Sequence, residues 1–102
     1  MNKKTAKALE QSIEHWKRMA KGERIDHEMP SADDCALCGL FNKTNNPCKG
    51  CPVMKRTGKD CCQHTPFYAA HMAWTEHGID SDEFKKAAKK EVKFLKGLRD
   101  DA

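Results

Sequence analysis

The segment CALCGLFNKTNNPCKGC, residues 35–51, carries two Cys-x-x-Cys pairs, Cys35 with Cys38 and Cys48 with Cys51, separated by nine residues. A two-residue spacer lets both sulfurs of a pair point inward, so two such knuckles suit a tetrahedral zinc ion with sulfur at about 2.3 Å. Gly39 follows the first pair and Gly50 lies inside the second, where an unusual backbone angle is tolerated. Cys61, Cys62 and His64 come soon after, giving seven candidate ligands for four places. The first choice is Cys35, Cys38, Cys48 and Cys51, and the alternative set replaces Cys48 with Cys62. An iron–sulfur cluster also takes four thiolates, and Cys51 is followed by proline as in ferredoxin-like motifs, although the C-x2-C-x2-C run is absent.

A closed four-thiolate site leaves no open position for water or substrate, so the zinc reading predicts a scaffold and not a catalyst. A thioredoxin-type redox pair belongs at the start of a helix in a βαβ pattern, and no strand pattern precedes either pair. His64 with Cys61 or Cys62 has the residue types of a nucleophile and base, but metal ligation or turn chemistry explains them with fewer assumptions. One further match is IDHEMP at 25–30, where Asp26, His27 and Pro30 fit the Asp-His-x-x-Pro core of HNH nucleases, whose His activates water beside a metal. Both cysteine pairs lie after that motif instead of bracketing it, so an HNH-like nuclease is the least favoured reading and the chain is expected not to be an enzyme.

The run from Asp34 to Phe67, DCALCGLF through CKGCPVMKRTGKDCCQHTPF, resembles small cysteine-rich proteins encoded by tailed bacteriophages. The shared elements are Cys35 and Cys38, Cys48 to Val53, Thr57 with Gly58, Cys62, and Thr65 to Phe67. The resemblance covers about a third of the chain and an amphipathic helix ahead of it. It implies a phage origin, hence the cytoplasm of a bacterial host, and it favours Cys62 over Cys61 as a ligand. A weaker likeness is to RanBP2-type zinc fingers, in which an asparagine follows the second cysteine by four residues, as Asn42 does here. The spacer is one residue short and the tryptophan before the first pair is missing, so the RNA binding of some such fingers is not carried over.

Composition bounds what can hold this module. The chain has 102 residues, 33% of them charged, with four Phe, two Trp and one Tyr, and a mean hydropathy of −0.86. That allows one domain with a modest core, to which a metal cross-link would contribute materially. Zinc in small peptides binds with roughly 10–16 kcal/mol, as much as the entire stability of an ordinary domain. No apolar run is long enough to span a bilayer and no signal-peptide h-region is apparent, so a cytoplasmic protein with reduced thiols is expected, without a membrane partner.

Three helices are predicted to flank the module, giving a mainly α fold: a small three-helix domain over 1–102, with a turn-rich zinc-binding cysteine module at 35–62 between the first and second helices. Residues 5–21 place Ala6, Leu9, Ser12, Ile13, Trp16, Met19 and Ala20 on one arc, and Gly22 ends the helix. The second, over 65–77, starts with Thr65 as N-cap and Pro66 in the first turn. It puts Phe67, Ala70, His71 and Trp74 on one face, with Tyr68 and Met72 widening the apolar arc, and is expected to be the most buried of the three.

The third helix, over 81–98, has Ser81 as N-cap and Asp82 and Glu83 in its first turn. Phe84, Ala87, Ala88, Val92, Phe94, Leu95 and Leu98 share one side. Glu91 falls within that arc, either paired, with His71 as a candidate partner, or reaching solvent from a shallow contact.

The opposite side of the third helix carries Lys85, Lys86, Lys89, Lys90, Lys93 and Lys96, the candidate binding face. The net charge is only +4, but 85–99 holds seven basic residues against the single acid Glu91, while 23–34 holds five acids against one base. Lysine without interleaved arginine or aromatic residues suits non-specific contact with an anionic surface more than base readout, and it also suits a merely solvated helix face. The expected function is therefore a zinc-binding phage accessory protein that binds a macromolecule and regulates or inhibits a host protein. The alternative is non-specific nucleic-acid binding through the lysine face; no small-molecule substrate is inferred.

Overall fold

A computed structural model of the chain describes residues 3–23, 29, 56 and 66–100. These residues are mainly helical, with no strand among them. Helix α1 runs Lys3–Lys21, α2 Pro66–His77 and α3 Asp82–Asp100. The first begins two residues ahead of its sequence-predicted start, and the third ends two residues beyond its predicted end. Thr65 and, apart from Arg56, the cysteine module at 35–62 lie outside the described residues.

The helix ends follow from residue types. Gly22 takes a φ of 73°, its N–H donates to the Met19 carbonyl at 3.3 Å, and the Glu23 N–H donates to the Arg18 carbonyl at 2.9 Å. This is the paired closure of a Schellman motif, which needs a left-handed residue just past the helix. Gly78 has a φ of 93° and donates to the Trp74 carbonyl at 2.9 Å, the single-bond version of the same stop.

Between α2 and α3 the chain turns on Ser81. Its hydroxyl donates to the Gly78 carbonyl at 2.7 Å and accepts from the Phe84 N–H at 3.1 Å. Ser81 is thus the N-cap expected, satisfying one of the free donors in the first turn of α3.

Helix α3 packs against both α1 and α2. The direction of α1 against α3 follows from two contacts: Arg99, near the end of α3, reaches Glu10 at 3.2 Å, and Lys85, near its start, lies over Gly22. The two helices are therefore antiparallel. Phe84, Ala88, Leu95 and Leu98 form the buried centre of α3, with Ala87, Val92 and Phe94 half-buried beside them.

Trp16 of α1 ties the three helices together. Its ring stands edge-on to Phe67 of α2 at 5.7 Å and tilted against Phe84 of α3 at 6.4 Å. Full burial of a side chain of the Phe84 class stabilises by about 1.5–3 kcal/mol relative to exposure, so this aromatic group is a large share of a small core.

Two expectations are corrected, and one of two open alternatives is excluded. Ala6 is exposed, and the buried arc of α1 is turned toward Ala8, Thr5 and His15. Helix α2 is the least buried of the three: only Ala70 is fully covered, while Tyr68 is 52% and Met72 37% exposed. Among the described helices the central position belongs to α3, whose apolar arc is wide enough to face two neighbours, whereas α2 lies at the side and packs one face against them. Glu91, finally, does not reach solvent from a shallow contact; it is 3% exposed.

Candidate functional site

The lysine face of α3 is the part of the predicted site that the described residues contain. Lys86, Lys89, Lys90 and Lys93 are exposed, and Lys85 and Lys96 are partly buried. At 3.6 residues and about 5.4 Å per turn, the four exposed lysines fall at i, i+3, i+4 and i+7 and form one patch about 10 Å long. Among the described residues none of the six makes an ion pair. The interior of the helix holds no acid except Glu91, which faces the core; the other acids of α3, Asp82, Glu83 and Asp100, lie at its two ends.

Lys85 has a different position from the rest. A Cβ built on Gly22 would meet its Cε at 3.4 Å and its Nζ at 3.6 Å, so the ammonium group sits at the C-terminal end of α1. The carbonyl end of a helix favours a cation. Lys85 therefore belongs to the α1 terminus as much as to the lysine face.

Arg99 is likewise engaged. Its Nε donates to Asp100 at 3.1 Å and its Nη1 to Glu10 at 3.2 Å. The hydrogen bond to Asp100 first, and that to Glu10 second, hold its pKa above the ordinary arginine value. The fork that usually recognises phosphate or a base edge is taken up by carboxylates of this chain.

The patch is bounded by acids. Glu76, Asp80, Asp82 and Glu83 are all exposed at the α2–α3 corner, and Asp100 is exposed at the far end of α3. Asp82 and Asp100 are eighteen residues apart, five full turns, so both fall on the line of the helix surface that the lysines occupy.

Sequence reasoning missed two groups. One is the exposed pair Tyr68 and Met72 on the outer side of α2; the signal was an α-helix apolar almost all round in a chain too small to cover every side. The other is the buried polar set of Thr5, Ser12, His15 and Glu91, of which only Ser12 and Glu91 were placed on an apolar arc. His15 is 2% exposed, with its ring edge-on to Trp16 at 5.2 Å, and the antiparallel register puts Glu91 level with the Trp16 turn. His71 packs its ring against Phe67 at 6.3 Å and Trp74 at 5.5 Å.

Cys35, Cys38, Cys48, Cys51, Cys61, Cys62 and His64, and likewise Asp26, His27 and Pro30, lie outside the described residues. Among the described residues no group of three or more His, Cys, Asp or Glu side chains could hold a metal ion. No helix among them is long and apolar enough to cross a membrane. The chain matches no protein-family model, no curated protein and no solved structure.

Proposed function

We propose that this chain is a phage-encoded accessory protein in which a zinc-bound cysteine module holds a small helical platform, and that the platform binds a host protein and regulates or inhibits it through the basic face of α3. The observation that carries this reading is the exposed patch of Lys86, Lys89, Lys90 and Lys93, with no ion pair to any of them among the described residues. Like charges at i, i+4 weaken a helix slightly, and an acidic partner laid against the patch would relieve that repulsion. The donor set supports zinc in the module: two Cys-x-x-Cys pairs supply four thiolates, Cys35, Cys38, Cys48 and Cys51 or the set with Cys62, and soft sulfur ligands in tetrahedral array suit that ion. An iron–sulfur cluster is the competing occupant.

Nucleic acid is the second reading, favoured by the same lysine patch. The two separate by salt. A phosphate-backbone binder loses retention on DNA and heparin steeply between about 50 and 200 mM salt. A protein-directed regulator instead captures one host partner at the higher salt, and loses it when Lys86, Lys89, Lys90 and Lys93 are changed to glutamate. Capture unaffected by those changes would contradict the lysine face as the binding surface.

A further inference from the structure

We infer that the α3 face recognises a short acidic segment of a protein, with carboxylates clustered over about two helical turns, and excludes an extended polyanion such as a nucleic-acid strand; this rests on the lysine face being the binding surface. The length and the ends of the patch limit what it can bind. The exposed lysines Lys86, Lys89, Lys90 and Lys93 span about 10 Å at 1.5 Å per residue. Four carboxylates at i, i+3, i+4 and i+7 of a partner helix cover the same length.

A phosphate backbone laid along α3 does not stop there. DNA carries one charge per about 1.7 Å of duplex, and Asp82 and Asp100 lie about 27 Å apart on the line of the lysines. A strand running along that line meets Asp82 and Glu83 at one end and Asp100 at the other, with Glu76 and Asp80 exposed at the same corner as Asp82. Of these acids, Asp100 is paired with Arg99 and Glu76 with His77. Asp82 and Glu83 make no ion pair among the described residues. Both lie within a Debye length, about 10 Å at 0.1 M salt, of a phosphate passing over the start of α3.

The recognition chemistry agrees. Lysine offers a compact charge without the planar fork that pairs with phosphate or guanine, and the one arginine of α3, Arg99, is held by Glu10 and Asp100. A short carboxylate cluster needs only complementary charge over a matched length.

The test uses the full chain and two labelled probes at about 50 mM salt: a helical peptide with four glutamates at i, i+3, i+4 and i+7, and a duplex of about two turns. Wild-type protein is expected to bind the peptide more tightly than the duplex. Changing Lys89 and Lys93 to glutamate should weaken peptide binding by about tenfold, with circular dichroism unchanged. Asp82→Asn with Glu83→Gln should strengthen duplex binding more than peptide binding. A duplex preferred by the wild type, through the same lysines, overturns this inference and leaves the lysine face as the binding surface. Equal binding by wild type and the Lys89, Lys93 variant overturns both.

Discussion

Ser81 and Gly97 test the local chemistry of α3 in opposite directions. Ser81 accepts the Phe84 N–H at 3.1 Å; Ser81→Ala leaves that donor without its cap and should cost about 1 kcal/mol, while Ser81→Asp should cost far less. Urea denaturation reads both. Gly97 lies inside α3, and a Cβ built there meets no atom within 4 Å. Gly97→Ala should therefore stabilise by about 0.5–1 kcal/mol, because it lowers the backbone entropy lost on folding and fills no occupied space. At Gly22 the same change is adverse, since the residue has a φ of 73°, a left-handed backbone that a Cβ strains. Ser81 and Gly22 were legible in the sequence because caps and stops are written in residues next to each other. The contact of Lys85 with Gly22 was not, because it joins residues far apart in the chain that meet only after α1 and α3 pack.

The helices follow the same division. Their existence was legible from apolar spacing at 3.6 residues, as with Phe84, Ala88, Leu95 and Leu98, and their limits agree to within about two residues, the usual latitude at frayed ends. Which helix would be central was not legible, because periodicity gives a face and not a neighbour. Helix α2, rich in apolar residues, reads as buried, yet among the described residues only one of its sides meets the other helices. The consequence is measurable. Tyr68→Ser or Met72→Gln should change stability by no more than about 0.5 kcal/mol, whereas Phe84→Ala removes a buried ring between α3 and Trp16 and should cost about 3–5 kcal/mol. Thermal denaturation of the three variants in parallel gives the comparison. Comparable losses from Tyr68→Ser and Phe84→Ala would place α2 inside the fold instead of at its side.

At the scale of the molecule, a small core of three helices leaves little stability in reserve. The lysine face adds to the demand, since charges at i, i+4 repel without acids between them. In our proposal the cysteine module supplies the missing stabilisation through zinc, which makes folding and metal binding one equilibrium. Chelation should then lower the midpoint of thermal unfolding, and added zinc should restore it. The sequence carries this part as residue types and spacing in the segment 35–62, where seven candidate ligands compete for four places. Spacing ranks those ligands without fixing the set, because a metal site closes in three dimensions. The claim on which the account turns is tested most directly by elemental analysis of the purified full chain together with its visible absorption spectrum. The account predicts one zinc per chain and no visible absorption; iron with sulfide and a brown colour, or no metal at all, would contradict it.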